Sequence, residues 1–89
     1  MMYEYMTLDD ETTIAHSEMK KDGTVKVYIE KPVEGGFHHA TCFLPKYDWV
    51  ENEGFSDSEI EALKKFVENN AHLIIELSQK GGFLNASGF

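Results

Sequence analysis

The chain has 89 residues, one cysteine and a formal charge of −8, the balance of 16 acids against 8 lysines with no arginine. That length bounds it to one domain, and 42% hydrophobic residues supply enough apolar matter to fold. A pI near 4.8 without arginine argues against direct nucleic-acid binding, which needs clustered cations to neutralise phosphates.

No apolar run reaches membrane-spanning length, and Met1-Met2-Tyr3-Glu4-Tyr5 lacks the basic and apolar regions of a signal peptide. Cys42 alone cannot close an internal disulfide. The expected setting is therefore cytoplasmic.

Strand signals fill the first half. Met2 to Leu8 is followed by a turn at Asp9-Asp10-Glu11. Thr12–Met19 and Thr24–Lys31 flank Lys20-Lys21-Asp22-Gly23, and an Asp-Gly pair between β-type runs marks a hairpin. A two-residue loop would place Glu18 opposite Val27. A three-residue loop would pair Met19 with Val25, Ser17 with Val27 and Ala15 with Ile29, leaving Glu18–Lys26 and His16–Tyr28 on the other face. The second register gives one apolar face and a charge pair, and is favoured.

Pro32 is expected to end that strand, with Glu34-Gly35-Gly36 turning into a third run, Phe37–Leu44. Ala40, Cys42 and Leu44 alternate with Phe37, His39, Thr41 and Phe43, so this strand is either covered on both faces or central. Pro45 closes it. Tyr47-Asp48-Trp49-Val50 reads as a short further strand or an extended loop.

The second half is helical. Ser56-Asp57-Ser58-Glu59 fits a capping box, with Phe55 placed to staple Ile60. Ile60, Leu63, Val67, Ile74 and Leu77 recur at helical steps, widened by Phe66 and Leu73. Asn70 stands where an apolar residue is due, so either one helix runs to about Lys80 or it breaks near Asn69-Asn70. Gly81-Gly82 is a stop signal. The tail beyond it, with Phe83, Leu84 and Phe89, either docks on the sheet or frays.

These elements add up to an α+β domain. A three- to four-stranded antiparallel meander over about residues 2–50 packs against one long or two short helices over about 57–80, followed by a tail over 81–89.

No catalytic, cofactor or metal site is expected. On one strand His38 and Cys42 stand about 13 Å apart at ~3.3 Å per residue, too far to share a zinc ion. His38 and His39 point to opposite faces. His72 with Glu68 or Glu76 is an ordinary surface pairing, and Cys42 in an apolar strand behaves as a small hydrophobe. Neither Gly35-Gly36 nor Gly81-Gly82 forms a phosphate loop or a dinucleotide fingerprint.

The most biased stretch is Asp48 to Glu61, with six acids and no base. It is either a solvated loop and helix start or a surface for a basic partner. Tyr47 and Trp49 flank Asp48, and in an extended segment they would share a face. Tyr47, Asp48, Trp49, Glu51, Glu53 and Asp57 are the candidate interaction surface, with Trp49 alternatively capping the core.

Thr7-Leu8-Asp9-Asp10, His16-Ser17, Asp22-Gly23, Cys42-x-Leu44-Pro45, Trp49, Gly54-Phe55-Ser56 and Asn70-Ala71-His72-Leu73 together resemble a group of short uncharacterised proteins from gut Firmicutes. The resemblance covers most of the chain and implies no substrate, cofactor or catalytic residue. The expectation is a small protein–protein interaction module, acting on a protein partner or by self-association as a homodimer. The alternative is an acidic inhibitor, antitoxin-like or mimicking DNA, directed at a nucleic-acid-binding protein.

Overall fold

The computed structural model describes residues 1–80. Five antiparallel strands, β1 (Met2–Thr7), β2 (Thr13–Ser17), β3 (Val25–Val33), β4 (Gly36–Leu44) and β5 (Asp48–Glu53), run in chain order across one sheet. A single helix, α1 (Asp57–Gln79), follows and covers one face. The class is the α+β meander the alternation implies, with one strand more, because 48–53 is a strand rather than a loop. The Gly81-Gly82 stop and the apolar tail lie outside the described residues.

The core follows from alternation meeting a helical stripe. Ile14, Val25, Val27, Ile29, Ala40, Cys42 and Leu44 from the sheet are fully buried against Leu63, Val67, Ala71 and Ile74 of α1, with Phe55 joining from the connection. Burying each large aliphatic side chain contributes about 1.5–3 kcal/mol. Both halves of the capping box form: Ser56 Oγ accepts from the Glu59 amide at 3.2 Å, and Glu59 Oε1 from the Ser56 amide at 2.8 Å.

The first hairpin differs from both registers considered above. Ile14 pairs with Ile29, Ala15 with Tyr28 and His16 with Val27. This shift turns Ile14 and His16 inward and Ala15 outward. Isoleucine gains more from burial than alanine, and the cost of the buried imidazole is met locally. His16 Nδ1 lies 2.9 Å from the Ser17 carbonyl, which places its proton there, and the ring tilts against Tyr3.

Ser17 ends the ladder. Its hydroxyl accepts from the Lys26 amide (3.0 Å) and donates to the Glu18 carbonyl (2.8 Å), and beyond it the Met19 amide donates to Ser78 at the end of α1 (3.1 Å). The Asp-Gly turn forms, closed by Lys20 N–H to Thr24 O at 2.9 Å, but the strand has already left the sheet. Glu18–Lys26 and His16–Tyr28 are therefore not cross-strand pairs.

Pro32 does not end β3. It pairs with Phe37, and the ladder to β4 runs on to Val33 and Gly36. Pairing to β2 stops at Glu30, so proline sits where β3 is an edge and no N–H is needed on that side. Gly35 in the turn has φ 88°, a backbone conformation that glycine adopts freely.

Asn70 does not break α1. Its Nδ2 donates to the Phe66 carbonyl at 2.8 Å, and its Oδ1 accepts from Tyr5 Oη at 2.7 Å. Tyr5 reaches the helix because it occupies a bulge in β1 between Glu4 and Met6 and packs edge-on against Phe66. The apolar position that Asn70 left vacant in the stripe is taken by Ala71.

Candidate functional site

Among the described residues β5 hydrogen-bonds on one side only, to β4, and forms one edge of the sheet. It carries three of the six acids of the acidic stretch, Asp48, Glu51 and Glu53. Asp48 pairs with Phe43, Trp49 with Cys42, Glu51 with Thr41 and Glu53 with His39. A bulge between Trp49 and Glu51 pushes Val50 out to 55% exposure. Asp57 opens α1 and is exposed. Between Lys46 and Lys64 there is no cation, so carboxylates dominate the β5 edge and the first helical turns.

The aromatic pair expected at Tyr47 and Trp49 does not form. Tyr47 lies in the β4–β5 turn at φ 58° and stays 41% exposed, while Trp49 packs against the core. The positive φ breaks the alternation that would have aligned them. Of the six candidate residues, five are therefore at the surface and Trp49 faces inward.

One cluster was not visible in the sequence. On the face opposite α1, Thr41 Oγ1 donates to Glu51 Oε1 at 3.0 Å, and His39 Nδ1 stands 3.2 Å from the same oxygen. The His39–Glu51 contact is an ion pair when the imidazole is protonated. Tyr28 stacks on His39 with ring centroids 6.1 Å apart. The Thr41 hydroxyl, then His39, holds the Glu51 carboxyl below the usual carboxylate range. Burial, then the charges of Glu30 and Glu51, pushes the Tyr28 phenol up. An antiparallel pairing of β4 with 48–53 would have aligned Thr41 and Glu51, but that strand was not separable from a loop.

His38 points the other way, edge-on to Phe55 with centroids 5.6 Å apart, over the backbone of Gly54. Burial, then the charge of Asp48, pushes the Cys42 thiol up to about 11. It stays protonated at neutral pH and is a poor nucleophile. No group of three or more His, Cys, Asp or Glu side chains is arranged to hold a metal ion among the described residues.

Among the described residues, grooves indent the surface in at least three places. One of about 260 Å³ lies at the start of α1, where Lys31 bridges Asp10 (3.5 Å) and Glu59 (3.6 Å). One of about 520 Å³ runs between β1 and the end of α1, and one of about 330 Å³ lies beside the first hairpin turn. None of the three is lined by His39, Thr41 or Glu51.

No protein-family model matches the chain, and no solved structure matches it. Among curated proteins it is similar to malate dehydrogenases. It is 38% identical over 79 residues to that of Vibrio vulnificus strain YJ016, and 37% identical over 79 residues to those of Vibrio cholerae and Vibrio campbellii. The aligned stretch takes in 85% of this chain but 24% of each relative. The chain thus spans about a quarter of the length of the curated relatives it matches.

Proposed function

We propose that this chain is a small cytoplasmic protein–protein interaction module that presents the acidic edge formed by β5 and the start of α1 to a basic partner. The observation that carries the reading is the position of β5. It is an edge strand bearing Asp48, Glu51 and Glu53, continued by Asp57 on α1, with no lysine between Lys46 and Lys64. Such a charge field steers a cationic partner and disfavours an acidic one.

A binding rather than catalytic role is supported by a Cys42 thiol held protonated and by the location of the His39–Glu51 pair away from the grooves. The likeness to malate dehydrogenases reaches only a quarter of their length. Self-association as a homodimer is the form the module takes if no other protein is bound.

The test is a tagged pull-down from native host lysate at low and high salt, beside a variant carrying Glu51→Gln, Glu53→Gln and Asp57→Asn. Recovery of a basic protein at low salt, its loss at high salt and its loss in the variant are the expected results. Undiminished binding by the variant sinks the proposal. If the recovered protein binds nucleic acid and DNA competes with it, the module is an acidic inhibitor that mimics a phosphate backbone.

A further inference from the structure

The opposite edge of the sheet is built differently. Among the described residues β1 hydrogen-bonds on one side only, to β2, and along its other side runs the groove of about 520 Å³ shared with the last turns of α1. That volume falls within the range of ligand-binding clefts. Tyr5, Met6, Leu73 and Leu77 line it. Met6 and Leu73 leave 41% and 43% of their surface exposed, although each is a large apolar side chain with a core close by.

The floor is rigid. The Tyr5 hydroxyl is tied to Asn70, and its ring packs edge-on to Phe66. The rim has a definite sign. Lys80 is held by Glu76 at 3.4 Å, whereas Glu4 takes a hydrogen bond from the Thr7 hydroxyl and meets no cation among the described residues. An unpaired strand edge, an apolar trough alongside it and one uncompensated carboxylate are the complement of an extended segment. Main-chain hydrogen bonds would hold such a segment, and alternate side chains would fill the trough.

We propose that the β1 edge and the groove beside it dock an extended segment of a partner protein as a sixth strand. Two apolar side chains of that segment, spaced i and i+2, enter the groove, and a lysine or arginine meets Glu4. The site is separate from the acidic β5 edge and does not depend on it.

The probe is the peptide acetyl-Lys-Val-Thr-Leu-Thr-Leu-Lys-amide, titrated into the ¹⁵N-labelled full chain. The expected result is shifted and exchange-protected amides over residues 2–7 and at Leu73 and Leu77, with β5 unchanged. Leu73→Lys, on the exposed side of the groove, weakens binding at least tenfold. Glu4→Gln weakens it severalfold and flattens its salt dependence, while the β5 triple variant binds the peptide as the parent does.

No shifts at millimolar peptide, shifts confined to β5, or indifference to Leu73→Lys would overturn the proposal. So would protection, without peptide, of the β1 amides that point away from β2. Protection that grows with protein concentration would give the groove to a second copy, and protection independent of concentration would give it to the chain itself.

Discussion

The two faces of this sheet are made from the same strands and obey opposite rules. The face under α1 takes Ile14, Val25, Val27, Ile29, Ala40, Cys42 and Leu44, all without solvent exposure. The outer face takes Tyr28, His39, Thr41 and Glu51, joined by a ring stack, a hydroxyl–carboxylate bond and an imidazole–carboxylate contact. Stability resides on the first face, where area leaves water. Recognition has freedom on the second and along the edges, where side chains change without opening a cavity. The polar groups near the helix, buried His16 and half-buried Asn70, are tolerated because each has a fixed partner.

The largest test of that contrast is Ile74→Ala. Ile74 is fully buried at the helix–sheet interface, and the change should cost about 2–5 kcal/mol, the range for emptying a close-packed aliphatic site. Phe37→Ser, at a 57% exposed position on β4, should stay within about 0.5 kcal/mol. Urea unfolding of both variants checks the ratio. Equal losses would mean that the outer face is covered.

Gly54→Ala ranks next. A Cβ there would run into His38 ring atoms, at 2.7 Å from Cγ, and the backbone sits at φ +103°. A loss of about 2–4 kcal/mol is expected, combining steric conflict with a conformation L-residues resist. In a His38→Ala background the steric part should vanish and the backbone part remain, so a double-mutant cycle should return clear coupling. Additive losses would place the strain in the backbone alone.

A smaller pair joins an edge to the helix. Tyr5→Phe and Asn70→Ala each remove one partner of a 2.7 Å hydrogen bond and should cost about 1 kcal/mol apiece. Together they should cost less than their sum, because the second change removes a group already left without its partner. Additivity by thermal unfolding would show that the bond contributes nothing of its own.

These residues also mark what the sequence could convey. The capping box, the Asp-Gly turn and the helical stripe depend on neighbours a few positions away, and they were legible. The first-hairpin register was not. It turns on Ser17 replacing a ladder bond with its hydroxyl and on Met19 reaching Ser78 across 59 positions, and neither leaves a local pattern. Pro32 misled because a proline stop assumes a neighbour on both sides, and β2 ends before reaching it. The acidic candidates were legible as charge. Their contact with His39 was not, because it needs the β4–β5 pairing, and the bulge at Val50 interrupts the alternation that would reveal it.

The smallest effect expected is the pH response of the outer face. The Thr41 hydroxyl, then His39, lowers the Glu51 carboxyl relative to its unfolded value. A group whose folded pKa is depressed stabilises the fold above its unfolded pKa and loses that contribution as pH falls through the folded one. The difference between the parent and Thr41→Val should therefore be present at neutral pH and shrink as pH drops from about 5 toward 3. Asp10 and Glu59, also lowered, are the same in both proteins and cancel in the comparison. Urea midpoints at a series of pH values separate the two, and Thr41→Ser, which keeps the hydroxyl, should follow the parent. A gap between parent and Thr41→Val that persists unchanged to pH 3 would trace the loss to packing at Thr41 and detach Glu51 from the stability of the β4–β5 joint.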